Sequence, residues 1–355
     1  MQRLNKQRKV LVGNTGCGQP RYYAFPSLLR RHDGTILIAY KNGVKHMLDP
    51  EASLDTLVLD PASGEIVSKR TVDRTPGWIH QNPELTRMPD GSIVLYDDIQ
   101  KPGWTKARTG LRVYRSTDDG VTFHDEGWFP QVGDFGIGYT FDDAVVEGSG
   151  SKADGSRSAV MLAMSFPELA GGIRAVHAVW TDDHGRSWTH IRNLNEEFAY
   201  AFNESSLLPF DEGFVIVARG DDRTTKAYRT DKTFRRLADR ELSAQYDSIG
   251  HVGRPKLFVR DGQTFLLCRN IAKGEKAGTL RLYRFDPATL EVGGSVQLDA
   301  NEYAAGHSYY AESFMTERDG RPLFHVITYV PTTVADMPDI VWLSFDWGEL
   351  TGAFE

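Results

Sequence analysis

The feature that most constrains this chain is a sixfold internal repeat. A short apolar run, a polar tip ending in a turn residue and a second apolar run recur along the sequence. The copies read FPSLLRRHDGTILIAY from Phe25, NPELTRMPDGSIVLY from Asn82, ESSLLPFDEGFVIVAR from Glu204, RPKLFVRDGQTFLLCR from Arg254 and AESFMTERDGRPLFHVITY from Ala311. A looser copy begins at Phe141 with FDDAVVEGSG and AVMLAMSF, its hairpin lengthened by SGSKADGSRS. The copies lie about 50 to 63 residues apart. Each reads as a β-hairpin, two strands of about five residues joined by an Asp-Gly or similar tight turn.

A second signal sits between the hairpins. Ser116 to Phe123 reads STDDGVTF and Thr181 to Trp188 reads TDDHGRSW. In both, the Asp can accept hydrogen bonds from the backbone of its own turn. Gly can take the positive-φ position, and the aromatic can fold back onto the sheet. Weaker relatives recur at DPASGE (Asp60), TDKTF (Thr230), FDPATLE (Phe285) and SFDWGEL (Ser344). Each period therefore holds two hairpins, and six periods of four strands make a β-propeller. The expected fold is all-β: one six-bladed propeller of four-stranded antiparallel blades spanning residues 1–355, with no linker-like shift in composition. A first strand near Lys9 to Val12 would close the ring against the last blade. Helical signal is confined to a short polar stretch near Phe234 to Leu242.

Composition excludes several partner classes. The chain has 355 residues and a net charge of −7, so it lacks the basic excess of a nucleic-acid binder. No run approaches the roughly 18 apolar residues of a membrane helix. The N-terminal MQRLNKQRKV is charged and has no apolar secretory core. Two distant cysteines, Cys17 and Cys268, read as reduced thiols, and a cytoplasmic location is the expectation.

STDDGVTF and TDDHGRSW resemble the Asp-boxes of the sialidase (neuraminidase) superfamily. FPSLLRRHDGTILIAY resembles the start of that family's first blade, and NESSLLPFDEGFVIVAR the segment around its catalytic glutamate. The resemblance implies a tyrosine nucleophile, a glutamate that helps ionise it, an aspartate acid/base and three arginines around a substrate carboxylate. A phenol is a weak nucleophile until a carboxylate takes its proton. Guanidinium groups bind a carboxylate through charge-assisted, partly bidentate bonds.

Carried over residue by residue, the resemblance implies Glu204 as the glutamate and Arg219 as the second arginine. Where the family has Arg-Ile-Pro, this chain has Ala24-Phe25-Pro26, and Arg21 is the nearby substitute. The third arginine's place carries Lys276; Arg254 and Arg269 are the other cations of that blade. The nucleophile is Tyr310, although gapless alignment on Asp319-Gly320 puts Ala311 at its place. A one-residue shift turns a strand side chain to the other face, so Tyr310 requires a bulge. The acid/base aspartate belongs in KNGVKHMLDPEASLD, with Asp49 chosen over Glu51 and Asp55.

Independently of the family, the strands expected to line the axis begin with polar, aromatic and ionisable residues. These starts are Arg21-Tyr22-Tyr23, His80-Gln81-Asn82, Asp142-Asp143, Asn203-Glu204, His251 to Arg254 and His307 to Tyr310. Such a convergence is the expected place for a site. Arg219, Arg254, Arg21, Tyr309, Asn82, His80 and Glu312 are the candidate substrate contacts. His80, His251 and His307 have no metal-motif spacing. The reading is an exo-acting glycoside hydrolase, sialidase-like, without metal or cofactor, acting on an acidic or polyhydroxylated glycan. A polysaccharide lyase and a non-catalytic glycan- or protein-binding propeller are the alternatives.

Overall fold

The computed structural model describes residues 5–16, 18–100, 107–147, 157–275, 277–304, 308–331 and 337–354. Cys17, Lys276 and His307 lie outside them. The apolar runs of the repeat are strands, and they assemble into six four-stranded antiparallel sheets. Blade 1 holds β2 (Tyr22–Arg30), β3 (Ile36–Gly43), β4 (Ser53–Leu59) and β5 (Ile66–Asp73). Blade 2 holds β6 (Ile79–Arg87), β7 (Ile93–Gln100), β8 (Arg108–Ser116) and β9 (His124–Trp128). Blade 3 holds β10 (Ile137–Glu147), β11 (Arg157–Ser165), β12 (Ala175–Thr181) and β13 (Thr189–Asn193). Blade 4 holds β14 (Phe202–Phe210), β15 (Gly213–Gly220), β16 (Thr225–Asp231) and β17 (Arg236–Glu241). Blade 5 holds β18 (His251–Arg260), β19 (Gln263–Ile271), β20 (Ala277–Asp286) and β21 (Glu291–Ala304). Blade 6 holds β22 (Glu312–Arg318), β23 (Arg321–Pro331) and β24 (Pro338–Asp346), and takes β1 (Gln7–Val12) as its outermost strand. The expected ring closure is therefore present: β1 runs antiparallel to β24, with Gln7 opposite Ser344.

The burial pattern explains the composition of each strand. The second and third strands of a blade lie between neighbouring sheets, so both their faces are buried. β4, for example, is buried at all seven positions. The fourth strand faces solvent, and no position of β5 is buried. Six hydrophobic clusters result, one in each gap between adjacent blades. Sheet-on-sheet packing of this kind holds the ring together without a single central core.

Each blade ends its third strand in an aspartate-centred turn. Asp118 accepts hydrogen bonds from Val121 N (3.1 Å), Thr122 N (2.8 Å) and Ser116 Oγ (2.7 Å). Asp183 repeats this with Arg186 N (3.0 Å), Ser187 N (2.9 Å) and Thr181 Oγ1 (2.7 Å). Gly120 and Gly185 take φ values of 82° and 81°, and Trp188 packs back into the cluster between blades 2 and 3. Asp60, Asp231 and Asp286 organise the matching turns of blades 1, 4 and 5. In blade 6, Asp346 instead caps the short helix Trp347–Gly352.

One sequence expectation is overturned. The stretch from Phe234 to Leu242 is not helical; it is mostly β17, whose backbone pairs with β16. Its lack of apolar alternation reflects the solvent-facing edge position of the strand. The helix that does follow is only Leu242–Gln245. Among the described residues, no helix is long and apolar enough to cross a membrane.

Candidate active site

The first strand of every blade lines the axis, and in blades 1 to 5 its ladder breaks register near its start. The shifts fall between Ala24 and Ser27, His80 and Pro83, Thr140 and Asp143, Phe202 and Ser205, and Gly253 and Lys256. A bulge leaves one residue unpaired and re-aims its side chain. Phe25 and Arg254 adopt φ values of 56° and 45° there, and Tyr309, ahead of β22 in blade 6, one of 63°, a region non-glycine residues rarely enter. The site is built on these repeated irregularities.

Tyr310 lies in blade 6 just ahead of β22. The twist at Tyr309 gives it the orientation that a regular strand would deny it. Tyr309 turns into the core between blades 5 and 6 and bonds Asp299 Oδ2 at 3.1 Å. Ala311 enters the same core. Tyr310, between them, faces the axis, packs against Phe25 and Tyr329, and donates its hydroxyl hydrogen bond to Glu204. The sequence expectation that Tyr309 contacts substrate is thus corrected: it is fully buried in the wall.

Glu204 is buried and surrounded by donors. Arg219 Nη1 lies 3.0 Å from Oε2, and the backbone N–H of Arg254 donates to the same oxygen at 2.8 Å. Burial alone would raise the pKa of this carboxyl. Arg219, Arg269 and the Tyr310 hydroxyl outweigh it, so the net shift is downward and Glu204 is ionised. Tyr310 moves the opposite way. Burial and the neighbouring Glu204 raise its pKa, against the pull of Arg269 and Arg219. Arg269 lies over the Tyr310 ring, 5.1 Å from its centroid. Beside the arginines, His251 is held neutral: burial first, then Arg219 and Arg269, depress its pKa to about 4.

Blades 4 and 5 use equivalent places differently. Glu204 and Arg219 stand six residues from the hairpin pair Phe210–Gly213, and Arg254 and Arg269 stand six residues from Arg260–Gln263. The glutamate place of blade 4 is thus an arginine in blade 5. Arg254 does not reach the phenol. Its guanidinium bonds Tyr139 and Glu84, across the ring in blades 3 and 2. Two residues further along β18, Lys256 Nζ lies 2.9 Å from Glu84, 2.8 Å from Glu312 and 3.5 Å from Asp142. Burial raises the Glu312 pKa to about 7, with Lys256 opposing and Glu84 adding to the rise. Burial and then Asp142 lift Asp143 to about 7 as well. Blades 2, 3, 5 and 6 are therefore joined by a shared ion-pair cluster.

The remaining predicted residues hold the frame. Arg21 does not replace the missing arginine, because its guanidinium is bound to Asn42 Oδ1 (2.8 Å) and Asn42 O (3.2 Å). Ala24 is fully buried in the core between blades 6 and 1. His80 is buried and bonded to Asp97. Asn82 Nδ2 donates to Asp98 Oδ2 at 3.1 Å. Asp55 is tied to Asn42 and Ser53, and Glu51 is exposed. Asp49 is fully buried, and its carboxylate accepts from Val44 N (2.6 Å), Lys45 N (3.1 Å) and Glu51 N (3.1 Å). It shapes the β3–β4 loop instead of facing the phenol, which overturns its expected acid/base placement. Cys268 is a buried free thiol.

Sequence reasoning missed Glu84 and Lys256. Each lies two residues beyond a candidate, Asn82 and Arg254, on the same strand. The register breaks at His80–Pro83 and Gly253–Lys256 interrupt the strand alternation that would otherwise relate each pair. It also passed over His46, which sits in the Asp49 loop.

No protein-family model and no curated protein matches the sequence. Solved structures do match along nearly the whole chain. A protein of unknown function from Dyadobacter fermentans superposes with a TM-score of 0.71 at 16% identity, covering 97% of this chain and 98% of its own. The NanB sialidase of Streptococcus pneumoniae, as its K499G mutant, gives 0.67 at 10% identity, covering 96% and 71%. The intramolecular trans-sialidase of Ruminococcus gnavus, in complex with oseltamivir carboxylate, gives 0.63 at 11% identity, covering 96% and 98%. The fold is that of a sialidase-like six-bladed propeller. At these identities the likeness carries the architecture and leaves the chemistry to the residues.

Proposed function

We propose that this protein is an exo-acting glycoside hydrolase that uses Tyr310 as its nucleophile and an anionic or polyhydroxylated glycan as substrate. The observation that carries the reading is the hydrogen bond from the Tyr310 hydroxyl to buried Glu204, itself paired with Arg219. Tyr310 is protonated at rest. As its oxygen attacks the anomeric carbon, its proton passes to Glu204, and a covalent glycosyl-tyrosine forms. Arg219 and Arg269 supply positive charge beside the attacking oxygen, which suits a sugar bearing a carboxylate. The family resemblance, including the structural likeness to sialidases, supports the same class. Ala24 stands where the resemblance calls for the family's first arginine, so the glycan need not be a sialoside.

The test is release of 4-methylumbelliferone from a panel of α- and β-glycosides of sialic, glucuronic and galacturonic acids and of neutral sugars. Activity on one member, lost in Tyr310→Phe, is expected. A fluorosugar of the active series should leave a covalent mass on the peptide containing Tyr310. No release from any member would sink the hydrolase.

One observation favours a second reading, a polysaccharide lyase. Tyr22 Oη and His46 Nδ1 are 2.7 Å apart in blade 1, a Tyr–His pair suited to removing a proton beside a uronate carboxylate. A lyase would yield an ultraviolet-absorbing unsaturated product, and a hydrolase would not.

A further inference from the structure

We infer that Arg254 is a positioning residue for the catalytic base: its left-handed backbone aims one N–H at Glu204, and its buried side chain holds that backbone from across the ring. This rests on the hydrolase reading and adds to it the device that keeps the base in place. Arg254 has a φ of 45°, a conformation that crowds the Cβ of any residue but glycine. It lies inside the register break between Gly253 and Lys256, outside the paired ladder of β18 and β19. Its N–H donates to Glu204 Oε2 at 2.8 Å.

Two features hold the turn. At Gly253 the chain runs so close to the Arg269 guanidinium that a Cβ would collide with it. That guanidinium is the one lying over the Tyr310 ring, so β18 is pressed against the wall of the site. At Arg254 the buried guanidinium bonds Glu84 of β6 and Tyr139 of β10, and lies 3.4 Å from the Phe141 carbonyl oxygen. A strained residue persists only where its surroundings over-determine it. The side chain of Arg254 thus belongs to the ion-pair cluster, and its main chain belongs to the site.

The two oxygens of Glu204 are used differently. Oε2 takes the Arg254 N–H and lies 3.0 Å from Arg219 Nη1, while Oε1 accepts from the Tyr310 hydroxyl. Fixing Oε2 leaves Oε1 turned to the phenol proton. A donor to the ionised carboxylate also lowers its pKa. The charged and titratable groups facing Glu204 are Arg219 from β15, His251 from β18, Arg269 from β19, Tyr310 and Tyr329 from blade 6, and Tyr139 from β10. All of them are common to any two variants at position 254.

The experiment compares Arg254→Gly with Arg254→Ala. Both remove the guanidinium, and in both Lys256, 2.9 Å from Glu84, remains to compensate that carboxylate. They differ in the backbone, because glycine enters the left-handed region freely and alanine does not. Arg254→Gly is therefore expected to unfold at a higher urea concentration than Arg254→Ala, the reverse of the usual order in a strand. The Glu204 carboxyl can be followed by carbon-13 NMR of labelled glutamate and assigned by its loss in Glu204→Gln. It should titrate in Arg254→Gly as in wild type, and about one pH unit higher in Arg254→Ala, a tenfold change in proton affinity. The acid limb of kcat/KM should move by the same amount on any glycoside the protein cleaves. Should Arg254→Ala not fold, Arg254→Gln, whose amide can still bond Tyr139, takes its place with a smaller rise expected. Equal titration in the two variants makes the turn purely structural and overturns the assignment, as does an Arg254→Gly chain that fails to fold. The urea and carboxyl measurements need no turnover, so a silent glycoside panel sinks the hydrolase reading separately.

Discussion

Two neighbouring clusters on the propeller axis use the same kinds of residue to opposite ends. Around the phenol, one carboxylate, Glu204, sits among Arg219, Arg269 and a hydroxyl, and its pKa is lowered. One step further along the inner strands, Glu84, Asp142 and Glu312 share Arg254 and Lys256, and Glu312 is raised to about 7. Cations exceed carboxylates in the first cluster and fall short of them in the second. The first keeps a base ionised against a protonated phenol, the combination a nucleophile needs. The second joins blades 2, 3, 5 and 6 across the ring, a structural task. The difference teaches that a buried ion pair near an axis is no mark of catalysis by itself.

That contrast can be broken experimentally, beginning with the largest effect. Glu204→Gln should cut kcat by about 10²–10⁴ on any glycoside the protein cleaves, the range for lost proton transfer, with an unchanged circular dichroism spectrum. Retained activity would put Glu204 in the structural class with Glu84. Glu84→Gln should do the reverse. It removes the carboxylate bonded to the buried Arg254 guanidinium, whose other hydrogen-bond partners among the described residues, Tyr139 and the Phe141 carbonyl, are neutral. Removing one member of a buried pair costs about 3–5 kcal/mol, which urea unfolding would measure. A change under about 1 kcal/mol, on the scale of an exposed pair, would mean that water already compensates the cluster.

The smallest effect is a pH slope. The Glu312 carboxyl is raised from 4.5 to about 7 in the folded chain. Between those values the folded chain holds a proton that the unfolded chain has released, so stability falls as pH rises through this window. Asp143, raised from 3.8 to about 7, acts in the same direction. Glu312→Gln should therefore flatten the decline in melting temperature between about pH 5 and pH 7 without abolishing it. Parallel curves for the two proteins would remove Glu312 from the account.

Much of the architecture was legible because the repeat is physical. Every blade needs the same hairpins, and blades 1 to 5 share an aspartate turn, so copies such as Asp118 and Asp183 repeat bond for bond. Glu204 and Arg219 were legible for the same reason, since they hold fixed places on one hairpin. Tyr310 was legible only in part. Its register depends on a positive φ at Tyr309, and a tyrosine there gives no sign in composition. Asp49 was legible as a loop carboxylate, and only the fold shows that it is consumed by backbone N–H groups. Glu84 and Lys256 were missed because their pairing crosses the ring between residues 172 apart. The outer strand β17 was misread as helical because a solvent edge removes the alternation that marks a strand.

The closure of blade 6 by β1 has a consequence for how the protein comes into being. Gln7 meets Ser344, so the ring's last seam joins segments from the two ends of the described chain. A ribosome-bound chain can pair most hairpins as they emerge, because each is local in sequence. The seam must wait for β24. Contacts this distant in sequence are slow to form, and Tyr310 belongs to the blade that the seam completes. During synthesis, the phenol and Glu204 therefore meet among the last events, after the blades that supply Glu204, Arg219 and Arg269 are already made.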